Sequence, residues 1–335
     1  MRGSDITKDV FNVVKANAPK SPPINGFLNL YKPSGITSME AVRRVKRIVG
    51  PRQKVGHGGT MDPLARGVLP ICFGQATRLM DYVVGGRKRY LMEVQLGVTT
   101  DSYDAEGEVI KTGATDGLTK DMVAAAGQTF LGTIKQVPPM YSAVKVNGQR
   151  LYKLARAGVE VHRKAREVEI YAIRLVQIDL PKVVMEVECG RGVYMRSLAH
   201  DLGELLGCGA HVSALERSYC GGFDAEDSIT LDSLEETASR PGAIEEYLFP
   251  VDWVLRGLKS TSLGPAAEKF LNNGQTVAMG APLLEASYLE EFRAYSTDGR
   301  FLALVRFDKG ASAWKPVKVF HLTIPSPYTP AITTA

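Results

Sequence analysis

The spacing of apolar residues changes several times along the chain, and each change predicts an element. "GFLNLYKP", ending at Pro33, reads as a strand, because proline has no amide to carry a ladder further. "TSMEAVRRVKRIVG" puts Val42, Val45, Ile48 and Val49 at helical spacing, with Ser38 as N-cap and Gly50 as the stop. "RGVLPICFG" predicts a strand and "ATRLMDYVVGG" a short helix. "KRYLMEVQLGVTTDSYDAEGEVIKTG" reads as strand broken by a Gly/Asp-rich turn. A cap at Thr119 or Asp121 opens a helix reaching Leu131. "VPPMYSAVKVNGQRLYKLARAGVEV" gives a strand, an Asn-Gly turn and a helix from Arg150. Two alternating strands follow in "REVEIYAIRLVQIDLPKVVMEVECGRG", and "YMRSLAHDLGELLG" is an amphipathic helix. Residues 26–250 therefore form one α+β unit. Residues 251–324 hold a short helix, a hairpin around Asp298-Gly299 and a last strand, which predicts a small β-rich unit. Residues 1–25 read as a polar lead-in and 325–335 as a Pro-rich tail without structure.

Composition narrows the class. The 335 residues are 44% hydrophobic and 23% charged, which suits a globular chain with two cores. No apolar run reaches the roughly 18 residues of a membrane span, and the N-terminus lacks the order of a signal peptide. Cys72, Cys189, Cys208 and Cys220 make no C-x-x-C pair, which fits inert thiols in a reducing cytoplasm rather than zinc or redox chemistry. Net charge is +5, unevenly spread. Cations gather in Arg43–Lys54, Arg87–Arg89 and Lys145–Arg166, and acids in Asp224–Glu246. A polyanionic partner meeting one basic face is the expectation, against solvated helix faces.

Between the first predicted helix and the next strand, "KVGHGGTMDPLARGVLPICFGQAT" surrounds a single acid, Asp62, with five glycines. A nucleotide P-loop needs Gly-Lys-Ser/Thr, and here Thr60 and Met61 follow Gly59. His57 and Asp62, five apart, match no metal-ligand spacing. An Asp-Pro turn is the competing structural reading. The reading pursued is that Gly56, Gly58, Gly59, Gly67 and Gly74 clear side chains from the backbone, so that a planar substrate can approach a reactive carboxylate.

"NLYKPSGITS" (29–38) and "VGHGGTMDPLARGVLPICFGQATR" (55–78) resemble the two leading motifs of the TruB-type tRNA pseudouridine synthases. "YLMEVQLGVTTDSYDAEGEV", "QVPPMYSAVKVNGQRLYKLARAG" and "CGRGVYMRSLAHDLGELLGCGAHVSAL" resemble later blocks of that family, in family order. The resemblance covers about Gly26 to Phe223 and implies a pseudouridine synthase fold, with a central mixed or antiparallel sheet flanked by helices. For the C-terminal unit it implies a PUA-like RNA-binding domain. It further implies isomerisation of a uridine in the tRNA T-loop, at tRNA position 55, without cofactor or metal, by a monomer that meets the T-stem-loop. Asp62 is the implied nucleophile, Arg196 its ion-pair partner, and Tyr90 the base-stacking group with a share in proton transfer at C5. His57 is implied to displace the T-loop, Tyr194 and Gly59 to line the pocket, Leu215 to wall it, and Lys32 to support it. Departures from the family pattern are Gly190 and Val193, which lack hydroxyls, and Glu216, which stands where a cation is usual. Two alternatives remain at this point. One is a non-catalytic RNA-binding or tRNA-chaperone protein. The other is the RNA-guided branch of the same family.

Overall fold

The computed structural model describes residues 23–329 apart from 147, 238–239, 241 and 279–286. Most of the lead-in assigned to 1–25, residues 330–335 of the tail, and Asn147 of the Asn-Gly turn lie outside the described residues. In chain order the larger unit contains β1 (Gly26–Lys32), α1 (Ser38–Val49), β2 (Val55–His57), β3 (Arg66–Phe73), α2 (Met80–Gly85), β4 (Lys88–Leu96), β5 (Val98–Thr100) and β6 (Val109–Thr112). It continues with α3 (Lys120–Gln128), β7 (Gly132–Gln136), β8 (Lys145–Val146), β9 (Gln149–Arg150), α4 (Leu151–Arg156), β10 (Arg166–Asp179), β11 (Lys182–Cys189) and α5 (Met195–Leu205). It ends with β12 (Ala210–Cys220), β13 (Phe223–Asp224), β14 (Ile229–Thr230), α6 (Leu231–Thr237) and β15 (Leu248–Phe249).

Eleven of these strands build one mixed sheet, whose main path runs β14-β1-β3-β12-β4-β11-β10-β7. This is the α+β architecture that the periodicity predicts. Its central strand, β12, has no counterpart in that reading, because polar His211 and Arg217 occupy buried positions and break the apolar pattern. Both faces are covered along β1 and β3. Leu28, Leu30, Leu69, Ile71 and Phe73 join the core beneath α1, α5 and α6, while Phe27, Val68 and Cys72 point into a second core. Burial on two sides explains why "GVLPICF" is almost continuously apolar.

Two local expectations shift. The N-cap of α1 is Thr37, whose side chain accepts from Glu40 N. Ser38 lies one residue inside, buried, and is used elsewhere. Thr119 caps α3, which ends at Gln128 rather than Leu131.

At the join of β3 and β12 the chains approach closely at Gly67, which has φ +108°. A Cβ there would lie 2.3 Å from the carbonyl oxygen of Arg217. Gly67→Ala is expected to lower unfolding stability by about 2–4 kcal/mol, from strain and strand separation together. Chemical denaturation checks this, and a change below about 0.5 kcal/mol would contradict the close approach.

The C-terminal unit is a five-stranded sheet in the order β16 (Ser260–Leu263), β18 (Glu291–Ser296), β19 (Phe301–Asp308), β20 (Ala313–Val319), β17 (Val277–Ala278), with α7 (Pro265–Asn272) packed on it. Leu271, Phe292, Leu302, Phe307 and Trp314 fill its own core. Tyr295, Phe301, Leu304 and Phe320 instead join Phe27, Cys72, Leu79, Val83 and Phe223, so that the second core spans both units. Gln75 adds a two-way link to the main chain of His321, donating to its carbonyl at 2.7 Å and accepting its amide at 2.9 Å. Residues 325–329, assigned by composition to a structureless tail, are held in place. Ser326 Oγ donates to Asp252 at 2.6 Å and Thr329 Oγ1 to the Gly299 carbonyl at 2.7 Å. Proline-rich composition did not reveal these partners, which lie 74 and 30 residues away in sequence.

Candidate active site

Asp62 sits in the loop between β2 and β3, in a turn closed by Ala65 N donating to its carbonyl. The segment after β1 fixes this loop from below. Lys32 is fully buried, and its ammonium donates to the carbonyls of Pro33 and Ile36 at 2.8 Å and Pro63 at 3.3 Å. Ser34 donates to the Leu64 carbonyl, and Gly35 N to that of Pro63. Ser38 both accepts from Met61 N at 2.8 Å and donates to Met61 O at 3.0 Å. The two leading sequence motifs are thus one physical unit, the first a cradle for the second. Burial pushes the Lys32 ammonium down to about 8, against the pull of the nearby Asp62 carboxylate.

Arg196, in the first turn of α5, closes the site from the other side. Its Nε and Nη2 each donate to one Asp62 oxygen at 2.8 Å, a bidentate fork. Nη2 also reaches the Tyr141 carbonyl at 2.8 Å, and Nη1 reaches the Ser102 carbonyl at 3.2 Å and the Asp104 carboxylate at 3.4 Å. The side chains of Arg196 and Asp104 are each 4% exposed, whereas that of Asp62 keeps 32%. The arginine is therefore internal and the carboxylate faces outward. Burial pushes the Asp62 carboxyl above the ordinary aspartate range, and the Arg196 charge opposes that push.

The remaining predicted residues fall into two neighbourhoods. Tyr194 is half-buried near Asp62, its backbone pinned by the Gln136 side chain, which accepts from its amide at 2.8 Å and donates to its carbonyl at 3.0 Å. Tyr90 and His57 belong instead to a group around Arg217, which lies opposite Tyr90 in the β4–β12 register. Burial holds the Tyr90 phenol up at about 12 and the His57 imidazole below its ordinary value, where the Arg217 charge adds to the effect. Among the described residues no hydrogen bond joins Tyr90 or His57 to Asp62. The bridge is Arg217, whose Nε donates to Val68 O at 2.8 Å and Nη2 to the carbonyl of Gly59, in the Asp62 loop, at 3.2 Å. Leu215 is 7% exposed and part of the main core.

The glycines correct the sequence reading. A Cβ at Gly56 would lie 2.6 Å from Met80, at Gly58 2.5 Å from Val83, at Gly67 2.3 Å from Arg217, and at Gly74 2.4 Å from Asn25 and Ile24. That space is filled by the protein itself, so these glycines allow the loop to pack and do not clear room for a substrate. Gly59 alone of the five keeps ordinary spacing, 3.5 Å from Arg217.

The charge expectation also changes. On α1, Arg43 and Arg47 pair with Glu40, and Arg44 pairs with Asp232 and Glu235, so part of the basic helix meets part of the acidic segment within the molecule. Glu216 pairs with Arg66 at 2.8 Å and accepts from Tyr31. Among the described residues, Lys145, Arg150, Lys153, Lys164 and Arg166 enter no ion pair, which makes Lys145–Arg166 the more available cationic segment. Sequence reasoning missed Ser102, Asp104, Tyr141 and Arg217. The polar run "TTDSYD" was a visible signal for the first two. Nothing in "LER" distinguishes Arg217 from a surface cation.

Comparison with known proteins agrees with this architecture. Residues 46–195 match the family model described as TruB family pseudouridylate synthase (N terminal domain). Residues 196–256 match that of the tRNA pseudouridylate synthase B C-terminal domain. Asp62 and Arg196 thus come from different family segments and meet in space. The chain is 43% identical over 281 residues to the tRNA pseudouridine synthase B of Clostridium acetobutylicum, covering 84% of this chain and 95% of that protein. It is 42% identical over 300 residues to that of Dehalococcoides mccartyi, covering 89% and 97%. Among solved structures it is similar to a Cbf5-Nop10-Gar1 complex, with TM-score 0.64, 25% identity, and 92% and 87% of the two chains covered. An H/ACA RNP bound to a substrate RNA containing 2′-deoxyuridine aligns with TM-score 0.65 at 22% identity, over 94% of each chain. With more than four-fifths of its length aligned at above 40% identity and both family segments in place, the chain belongs to the TruB family of pseudouridylate synthases.

Proposed function

We propose that the protein isomerises the T-loop uridine at tRNA position 55 to pseudouridine, with Asp62 as nucleophile and the target base flipped out of the loop. The observation that carries this reading is the bidentate pair of a part-exposed Asp62 with an internal Arg196. In the reaction the C1′–N1 bond breaks, the uracil turns, C5 bonds to C1′ and gives up its proton, and N1 takes one up from solvent. Nothing is added or removed overall, so one carboxylate suffices, whereas a glycoside hydrolase needs two carboxyl groups. Arg196 keeps Asp62 ionised and aimed in a site whose burial favours the neutral acid. Tyr90 offers its ring to the flipped base and its hydroxyl to the C5 proton. His57 helps displace the T-loop, Tyr194, Gly59 and Leu215 shape the pocket, and Lys32 holds the Asp62 turn. The C-terminal sheet, fixed through the shared core, extends the RNA-binding surface as a PUA-like unit.

Identity above 40% to the tRNA enzymes, against 25% to the chain of a Cbf5-Nop10-Gar1 complex, favours a stand-alone tRNA enzyme over an RNA-guided one. Incubation with an unmodified T-stem-loop, followed by nucleoside chromatography, is expected to yield pseudouridine at one T-loop residue. Its absence at saturating enzyme would leave an RNA-binding role. If Lys145–Arg166 contacts phosphates, the log of tRNA affinity falls linearly with log salt, with a slope of about −3 to −5. Lys153→Ala should reduce that slope by about one. A slope near zero would contradict the phosphate contacts.

A further inference from the structure

The turn that supplies the Ser102 and Asp104 contacts to Arg196 contains a backbone outlier. Tyr103 has φ +63°, in the left-handed region that a bulky side chain rarely occupies. Such a conformation is strained and persists only where its surroundings hold it. Its neighbours on either side are anchored. Thr100 Oγ1 donates to Asp104 O at 2.7 Å, Ser102 Oγ to Asp104 Oδ1 at 2.6 Å, and Val212 N to Tyr103 O at 3.0 Å. These bonds fix the peptide groups but leave the Tyr103 ring to find its own partner.

That partner is His200. The two rings stack with centroids 3.9 Å apart and planes 8° from parallel. His200 lies on α5 four residues after Arg196, so both project from one helix face, one turn apart. From that face Arg196 takes hold of residues 102 and 104 through a carbonyl and a carboxylate, and His200 holds the residue between them through its ring. The strained turn is clamped to the same helix turn that orients the guanidinium. Without the stack, a return of the Tyr103 backbone to negative φ would release the strain, let residues 102–104 move, and remove two of the partners that aim Arg196 at Asp62. Nδ1 of His200 is buried without a hydrogen-bond partner among the described residues, so stacking rather than a hydrogen bond sets its orientation.

We infer that Tyr103 and His200 are positioning residues for the reaction: their stack keeps the strained 102–104 turn in the one geometry that locks Arg196 in its fork on Asp62. The inference rests on the proposed pseudouridine synthase reading. The test therefore starts from wild-type turnover of an unmodified T-stem-loop, which checks that reading alone. The variants His200→Ala, His200→Phe and Tyr103→Ala are then compared for single-turnover rate, RNA affinity and melting temperature.

His200→Ala and Tyr103→Ala should each slow the single-turnover step about tenfold or more with RNA affinity within about twofold, because misplacing a reacting group acts on the step and not on binding. His200→Phe keeps a planar ring and should recover most of the rate. In an Arg196→Lys background, where the fork is already lost, His200→Ala should cost less than about twofold further. An unchanged rate in both alanine variants would overturn the inference. So would His200→Phe as slow as His200→Ala, or the same factor lost with and without Arg196. If His200→Ala does not fold, Tyr103→Ala and His200→Phe decide by the same criteria.

Discussion

Asp62→Asn is expected to reduce single-turnover pseudouridine formation by about 10⁴-fold or more while RNA affinity stays within about threefold. The substitution preserves shape, removes the charge and the nucleophilic carboxylate, and puts an amide NH₂ where one Arg196 N–H had an acceptor, so half of the fork is lost with it. The loop around it does not depend on that charge for its position. Lys32, Ser34, Gly35 and Ser38 hold residues 61–64 through main-chain atoms, and the turn closes through Ala65 N on the Asp62 carbonyl. Arg196 would retain the carbonyls of Ser102 and Tyr141 and the carboxylate of Asp104. The variant should therefore fold, bind RNA and fail in the reaction. Residual turnover within about 100-fold of wild type would assign the nucleophile elsewhere.

Arg196→Lys is expected to lower turnover by about 10²–10³-fold, again with little change in RNA affinity. A lysine brings the charge but not the fork. Its ammonium can approach one Asp62 oxygen, but it cannot span both oxygens and at the same time satisfy the carbonyls of Tyr141 and Ser102 that the guanidinium reaches at 2.8 and 3.2 Å. Asp62 would then be oriented by one contact instead of two, in surroundings that push it toward the neutral acid. Stability should fall as well, by about 1–3 kcal/mol, since buried carbonyls and the Asp104 carboxylate lose partners. Single-turnover kinetics within about threefold of wild type would show that the bidentate geometry is not needed.

Much of this site was legible in the sequence, and the unread parts have physical causes. Asp62 and Arg196 are 134 residues apart, and only motif resemblance linked them; no spacing rule connects a loop to a helix start across a sheet. The glycines were misread because glycine gives the same signal whether the space it leaves belongs to a ligand or to the protein. Here Met80, Val83, Asn25 and the Arg217 backbone fill it. β12 was invisible to periodicity because its buried positions include Arg217, an amphipathic residue that a hydropathy pattern scores as exposed. Pairing of Arg44 was invisible in the sequence because its partners, Asp232 and Glu235, lie 188 and 191 residues away and reach it only through the fold. The regular elements, by contrast, followed from period and capping. β1, α1, β3, β11 and α5 lie where apolar runs, strand alternation, helical spacing and the Pro33 and Gly50 stops predict them.

The proposal that links these results is that an ionised Asp62, forked by Arg196, serves as the nucleophile in the isomerisation of a tRNA uridine. Its most direct test is tritium release from a T-stem-loop labelled at C5 of its uridines, at saturating enzyme. The wild-type protein should release the label of one T-loop uridine per RNA, and the Asp62→Asn protein should bind the same RNA and retain the label. Full retention by the wild type, or equal release by both proteins, would contradict the account.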